Sequence, residues 1–313
     1  MKCPVCGEKF CMGHFDDWWD SERYNWQDES WALAQFCWGC FSKWWNPDKF
    51  NWEDASWSLA QFCWDNFDVW WDPNKFDWKR ASHALAEFCS QHFLKWWDPD
   101  RFNWKASGTL AEYCSEYFHV WWDPDRFNWL EGTWALVRYC SEYFIEWWNP
   151  DKFNWVGASN LLVEYCNQHF RIWWNPDKFE WECSYLLVQH CSSEFPLWWN
   201  PEKFDWKSSS RILARLCSNY FTEWWNPDKF NWEEASVDLA VYCSDHFHKW
   251  WDPDKFDWVE GSWALAKYCS QYFDLWWNPV KFNRKYVSYL ERHCLKYKDV
   301  WDVDLKLLQV LGS

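Results

Sequence analysis

The stretch WWNPDKFNW at residues 44–52 returns as WWDPNKFDW at 70–78 and as WWDPDRFNW at 96–104. A tryptophan pair opens every copy, with first members at Trp18, Trp44, Trp70, Trp96, Trp121, Trp147, Trp173, Trp198, Trp224, Trp250 and Trp276. The step is 26 residues, apart from two steps of 25. A fixed period of this size marks stacked supersecondary units, each too small to bury its apolar face alone. One Leu and one Cys recur in the same register, which compositional bias cannot produce. The chain is therefore read as eleven units rather than as two ordinary domains, although 313 residues would allow two.

Local rules divide each unit into two elements. Asn46-Pro47-Asp48 has the form of a helix start: a capping side chain, proline at the first position, then an acid. The segment PDKFNW is predicted to form a short helix of 3₁₀ character. The Ser or Thr that follows, such as Ser56, Ser82, Ser107 and Thr133, is predicted to cap a longer helix running from Ser56 to about Trp71. On a helical wheel Leu59, Cys63, Asn66 and Trp70 share one narrow arc, flanked by Ala60, Phe62, Phe67 and Trp71. The two shorter units lack a residue between the third Trp and the Ser, so a connecting loop is expected there. The expected fold is an all-α, right-handed α-solenoid of short-helix/long-helix repeats. The tryptophan pair would end the long helix, proline would break out of it, and Phe50 and Trp52 would fold back over the corner. The expected organisation is a zinc-knuckle cap over 1–17, repeats over 18–300 and an amphipathic capping helix over 301–313.

Sixteen cysteines raise the question of disulfides. Eleven of them hold one repeat position: Cys37, Cys63, Cys89, Cys114, Cys140, Cys166, Cys191, Cys217, Cys243, Cys269 and Cys294. Stacked helices stand about 8–10 Å apart, beyond the roughly 7 Å Cα separation a disulfide tolerates. These thiols are expected to be free, small buried hydrophobes in a reducing compartment, which points to a cytoplasmic protein. The N-terminus differs. Cys3 and Cys6 in CPVCG, followed by Cys11 and His14 in CMGH, supply four N/S ligands within twelve residues. That set suits a closed tetrahedral zinc site, with an iron–sulfur cluster as the alternative and Cys40 as an alternative ligand.

The unit length, the short-then-long helical pattern and the cysteines Cys3, Cys6 and Cys11 ahead of the array resemble the leucine-rich variant repeats. That resemblance implies an α-solenoid with an N-terminal iron–sulfur centre. The Trp-rich motif departs from that family's pattern.

Each unit also carries Lys or Arg just before its Phe or Tyr: Lys49, Lys75, Arg101, Arg126, Lys152, Lys178, Lys203, Lys229 and Lys255, with Arg23 and Lys281 at the ends. Stacking would align them along one edge. They either cover Trp faces locally or track a polyanion, with Trp available for base stacking. The net charge of −16 weighs against nucleic acid and anionic membranes. No apolar run approaches a membrane span, and the N-terminus lacks the apolar core of a signal peptide. No singular catalytic constellation, Gly-rich phosphate loop or HExxH motif occurs. The expected function is a monomeric, non-enzymatic scaffold that binds another protein. Binding of nucleic acid or another polyanion along the Lys/Arg edge is the alternative, and imitation of a polyanion by an acidic face a further one.

Overall fold

The computed structural model describes residues 2–311 of the chain. It forms two compact units that divide between Leu161 and Leu162. Both are all-α, built from repeats of about 26 residues whose helices pack in sequential order. In the first, the helices Trp26–Phe36, Trp52–Phe62, Trp78–Phe88, Ser107–Tyr113 and Trp129–Tyr139 stack in succession. In the second, Ser184–His190, Trp206–Leu216, Trp232–Tyr242, Trp258–Tyr268 and Val287–His293 do the same. Among the described residues the only β pairing is a single bridge between Lys2 and Lys9.

The boundaries inside a unit differ from the sequence expectation, and each difference has a physical cause. The NPDK segment is a turn rather than a short helix. Asn46 Oδ1 accepts the amide of Asp48 at 3.0 Å, Phe50 N–H closes onto Asn46 O at 3.0 Å, and Asn51 leaves helical geometry at ψ 89°. Asn51 is itself the N-cap, accepting Asp54 N–H through its side chain, so the helix begins at Trp52. Ser56 therefore lies inside the helix and caps nothing of its own. Its hydroxyl donates to Trp52 O and accepts the backbone N–H of Asp77, the N-cap of the next repeat, at 3.0 Å. The same link joins Ser30 to Asn51, Ser82 to Asn103 and Ser236 to Asp257. The serine is a tie between repeats.

The long helix also ends sooner than expected. It stops at Phe62, and Cys63 adopts φ −120°. A 3₁₀ turn, Trp64–Asn66, and a four-residue helix, Phe67–Trp70, follow. The Cys63 carbonyl, turned out of the helix, accepts Asn66 N–H at 2.9 Å and the indole N–H of Trp70 at 2.8 Å. A buried indole must find an acceptor, and ending the helix at Cys63 supplies it in every repeat from Trp18 to Trp301.

The missing residue of the short repeats lies in the first helical turn, not in a loop. Trp104–Ala106 and Trp181–Cys183 are 3₁₀ turns, and Arg284–Tyr286 is a third. The first amides of a helix have no partner within it, so tightening there removes no interior hydrogen bond. In the sixth repeat the first turn is not helical at all. Gly157 takes φ +72° and the helix begins at Ser159.

The corner did form as expected. Phe67 stacks on Trp71 at 5.1 Å, Trp71 meets Phe76 at 5.3 Å, and Trp78 stands edge-on to Trp71 at 5.6 Å. Leu59, Cys63, Phe67 and Trp70 are at most 1% exposed. Each such ring contributes on the order of 150–250 Å² of burial, or several kcal/mol before entropy is charged. The terminal helix spans Lys298–Leu311, three residues earlier than expected, and residues 312–313 lie outside the described part. Asp304 occupies the place of the motif proline, so nothing stops the short helix there, and its carboxylate accepts Trp277 Nε1–H at 2.9 Å.

Candidate metal centre and exposed faces

The N-terminal site is assembled from two local structures. In the first, Gly7 at φ +77° lets the chain reverse, so that Cys3 N–H reaches Glu8 O at 2.8 Å and Gly7 N–H reaches Cys3 O at 2.9 Å. This turn sets Cys3 beside Cys6. The second is half a repeat. Cys11 is followed by the 3₁₀ turn Met12–His14 and the helix Phe15–Trp18, as Cys37 is followed by Trp38–Cys40 and Phe41–Trp44. Trp18 donates to Cys11 O at 2.7 Å and Trp44 to Cys37 O at 2.9 Å. Cys11 and His14 thus stand in ordinary repeat positions. Residues three apart on a 3₁₀ turn eclipse, which brings Cys11 Sγ within 3.3 Å of His14 Nδ1.

The ligand atoms of Cys3, Cys6, Cys11 and His14 all lie within 4.8 Å of one another. Four donors around one tetrahedral ion with bonds of about 2.0–2.3 Å stand about 3.5–3.8 Å apart, so a small contraction would close the set on a metal ion. Burial raises the Cys3 thiol, but amides of Cys6 and Val5 and the thiols of Cys6 and Cys11 outweigh it and leave Cys3 below its usual value. The amide of Glu8 lowers Cys6, while burial and the neighbouring Cys11 and Cys3 push it up to about 11. One thiolate is favoured and the next opposed, a conflict that a cation would remove. Cys40 is not in this group; its thiol contacts Met12 O at 4.0 Å.

The repeated cysteines are of a different kind. All eleven are buried, and all sixteen cysteines of the chain are free. Cys89 Sγ faces Ala60 O at 3.6 Å, and Cys243 Sγ faces Ala214 O at 3.5 Å. Burial pushes their pKa values up to about 12.

The basic edge is tied down by its own chain. Lys75 Nζ donates to Pro47 O at 3.1 Å and to Asp48 at 2.9 Å, both in the preceding repeat. Lys152 pairs with Asp125, Lys203 with Asp177, Lys229 with Glu202, Lys49 with Glu22 and Arg126 with Asp100, at 2.6–3.0 Å. Arg101 bonds Asn74 at 3.1 Å, Lys255 reaches Pro227 O at 3.5 Å, and Lys178 is exposed. The expected cover of Trp faces occurs at Arg126 over Trp104, Lys203 over Trp181 and Lys255 over Trp232, at 5.6–5.9 Å. Asp48, Asp125 and Asp177 remain 86–89% exposed beside lysines that are only 37–39% exposed.

The helical wheel puts Phe62 on the flank of the core and does not reveal the face that this residue belongs to. Because each long helix ends at this position, the side chain projects past the core; it is half-buried at Phe62, Phe88 and Tyr139 and exposed at Phe36 and Tyr113. In the first unit Phe36, Phe62, Phe88, Tyr113 and Tyr139 hold it, and in the second Tyr165, His190, Leu216, Tyr242, Tyr268 and His293. Phe36, Tyr113 and Tyr242 are 39–45% exposed. Trp31, Trp57 and Trp134 meet Phe36, Phe62 and Tyr139 edge-on at 6.1–6.2 Å. Clefts open on this face beside Trp134 in the first unit and beside Trp263 in the second. A ring at this helix-terminal position in every long helix but the one ending at Leu216 was the available signal.

Compared with protein-family models, curated proteins and solved structures, the chain matches none. Its likeness to leucine-rich variant repeats extends to the alternation of short and long helices and the N-terminal Cys/His cluster, and no further. No helix among the described residues is long and apolar enough to cross a membrane.

Proposed function

We propose that this chain is a non-enzymatic scaffold that binds another protein through the exposed face of its long helices, and that Cys3, Cys6, Cys11 and His14 hold a structural zinc ion. The observation that carries the first part is the row of half-open aromatic rings with clefts between them. Aromatic anchors beside pockets are where protein interfaces concentrate their binding energy. The basic edge gives the polyanion alternative less support, because its cations already meet carboxylates and carbonyls of the neighbouring repeat. Zinc is favoured over an iron–sulfur cluster because a cluster needs ligands spread over several irons, whereas these four donors crowd around one point. The free thiols favour a reducing compartment, the cytoplasm.

The test is recovery of the tagged full chain with its bound protein, beside the variant Phe36→Ser/Tyr113→Ser/Tyr242→Ser. The variant is expected to melt with the wild type and to lose the partner. A parallel titration with single-stranded and duplex nucleic acid at ~50 and ~200 mM salt measures the alternative. Tight binding at the higher salt, abolished by Lys152→Gln/Lys203→Gln/Lys229→Gln, would replace the scaffold reading.

A further inference from the structure

The second unit contains a cleft of about 570 Å³ that lies on the long-helix face. It is lined by five carboxylates against one guanidinium, that of Arg211, with Trp263, Tyr242 and Tyr268 supplying aromatic wall. Resting on the scaffold reading, we propose that this cleft seats an arginine-bearing basic segment of the protein partner.

Charge and shape agree on this occupant. Glu233, Glu234 and Glu260 come from the first turns of the helices Trp232–Tyr242 and Trp258–Tyr268, where acids complement the helix N-terminus and their side chains point outward. None of the three has an ion pair among the described residues. Their uncompensated charge faces a cavity floored by Val237 and Val241 and walled by half-open rings. An acidic, aromatic recess favours a flat, weakly hydrated cation with an apolar stem, which describes arginine better than lysine.

The protein shows the same recognition with its own side chains. Arg211 reaches across from the preceding helix and pairs with Asp238 at 3.2 Å, a carboxylate whose side chain is only 13% exposed. Arg215 from that helix lies over the Tyr242 ring at 6.0 Å. One guanidinium therefore already uses an acid of this cleft, and another uses one of its rings. Glu233, Glu234, Glu260 and Trp263 repeat those two kinds of contact with no arginine of the chain in place. Their geometry suits a partner's arginine entering beside Arg211, its plane against Trp263 and its fork toward the glutamates.

The probe is a synthetic, fluorescein-labelled peptide of alternating arginine and leucine, read by anisotropy with the full chain. A peptide with glutamate in place of arginine is the control, and it is expected not to bind. Glu233→Gln/Glu234→Gln/Glu260→Gln should weaken the arginine peptide by about ten-fold or more, with unchanged melting. Asp48→Asn/Asp100→Asn/Asp125→Asn removes equal charge from the turn edge and should weaken it by less than about two-fold. Trp263→Leu should weaken the arginine peptide several-fold more than its lysine counterpart. Equal losses in the two triple variants would mean only general attraction to an acidic chain and would overturn the cleft. If the peptide fails to bind while the protein partner is still held and is lost with the aromatic variant, the cleft falls and the scaffold stands. If the wild-type chain retains no protein partner, the scaffold reading falls by itself, whatever the peptide does.

Discussion

Cys11 and Cys37 occupy the same position of the repeat, and their surroundings give them different chemistry. Each is followed by a 3₁₀ turn, and each carbonyl takes the indole N–H of the tryptophan seven residues on. The backbone role is identical. The Cys37 thiol is sealed beneath Phe10, whose carbonyl it meets at 3.7 Å, and burial pushes it up to about 12. The Cys11 thiol is not packed against the carbonyl of a neighbouring repeat. A reversed turn carrying Cys3 and Cys6 lies there instead, and the same sulfur joins a Cys/His cluster that could hold a metal ion. The N-terminal site is thus a half-repeat with its open side filled by a knuckle. The half-repeat contributes Cys11 and His14 to the cluster, and the turn contributes Cys3 and Cys6.

The largest expected effect separates these two kinds of thiol by pH. All eleven repeat thiols have pKa values raised from 9.0 to about 12. A raised acid favours the folded state fully below its unfolded value, and that benefit is lost as pH climbs through the folded one. Each thiol then withdraws about 1.4 kcal/mol per pH unit above 9. Eleven acting together withdraw about 15 kcal/mol over the first unit, which would exhaust an ordinary stability of ~5–15 kcal/mol by about pH 10. Circular dichroism from pH 7 to 11 should show cooperative unfolding between about pH 9 and 10. A chain whose helicity is flat to pH 11 would break the account of sealed thiols.

Next in size is the metal. Purified protein is expected to contain about one zinc per chain. Cys3→Ser/Cys6→Ser should abolish it while most helicity survives, because repeats are stabilised by nearest neighbours. Elemental analysis and circular dichroism read both. Iron with visible absorbance would favour a cluster over zinc, and global unfolding would show that the knuckle holds more than the end.

Smaller still is the loss of one packed sulfur. Cys140→Ala should cost on the order of 1 kcal/mol in chemical denaturation, since only a small cavity opens. Alkylation of native protein should spare the repeat cysteines until the chain unfolds. Fast labelling of most of them would show the repeat thiols to be as accessible as those of the knuckle and would break the packing account.

The smallest effect belongs to the basic edge. Lys152 bridges to Asp125 and the Pro124 carbonyl in a largely exposed setting, and its pairing holds the Asp125 carboxyl below the usual range. Exposed pairs contribute little. Lys152→Gln should lower stability by a few tenths to about 1 kcal/mol in thermal melts and leave partner binding unchanged.

Much of this molecule could be read without coordinates. The 26-residue period, the helical units and the separation of the repeat thiols follow from spacing alone, because periodicity is a property of the chain. The gathering of Cys3, Cys6, Cys11 and His14 was legible for the same reason: they lie within twelve residues, so local turns suffice to bring them together. Other features depend on residues a repeat apart. Ser56 has the residue type of a cap, yet its partner is the Asp77 amide, 21 residues on, and no local rule distinguishes a serine that starts its own helix from one that secures the next. Where the long helix stops was likewise settled by the Trp70 indole claiming the Cys63 carbonyl, a competition between side chain and backbone that a helical wheel does not contain. The Lys75 ammonium found Asp48 and Pro47 only because stacking brought one repeat's turn onto the next. Phe62 lies on an apolar arc of the wheel, but the helix ends under it, so its ring is left at a surface that only the packed structure defines.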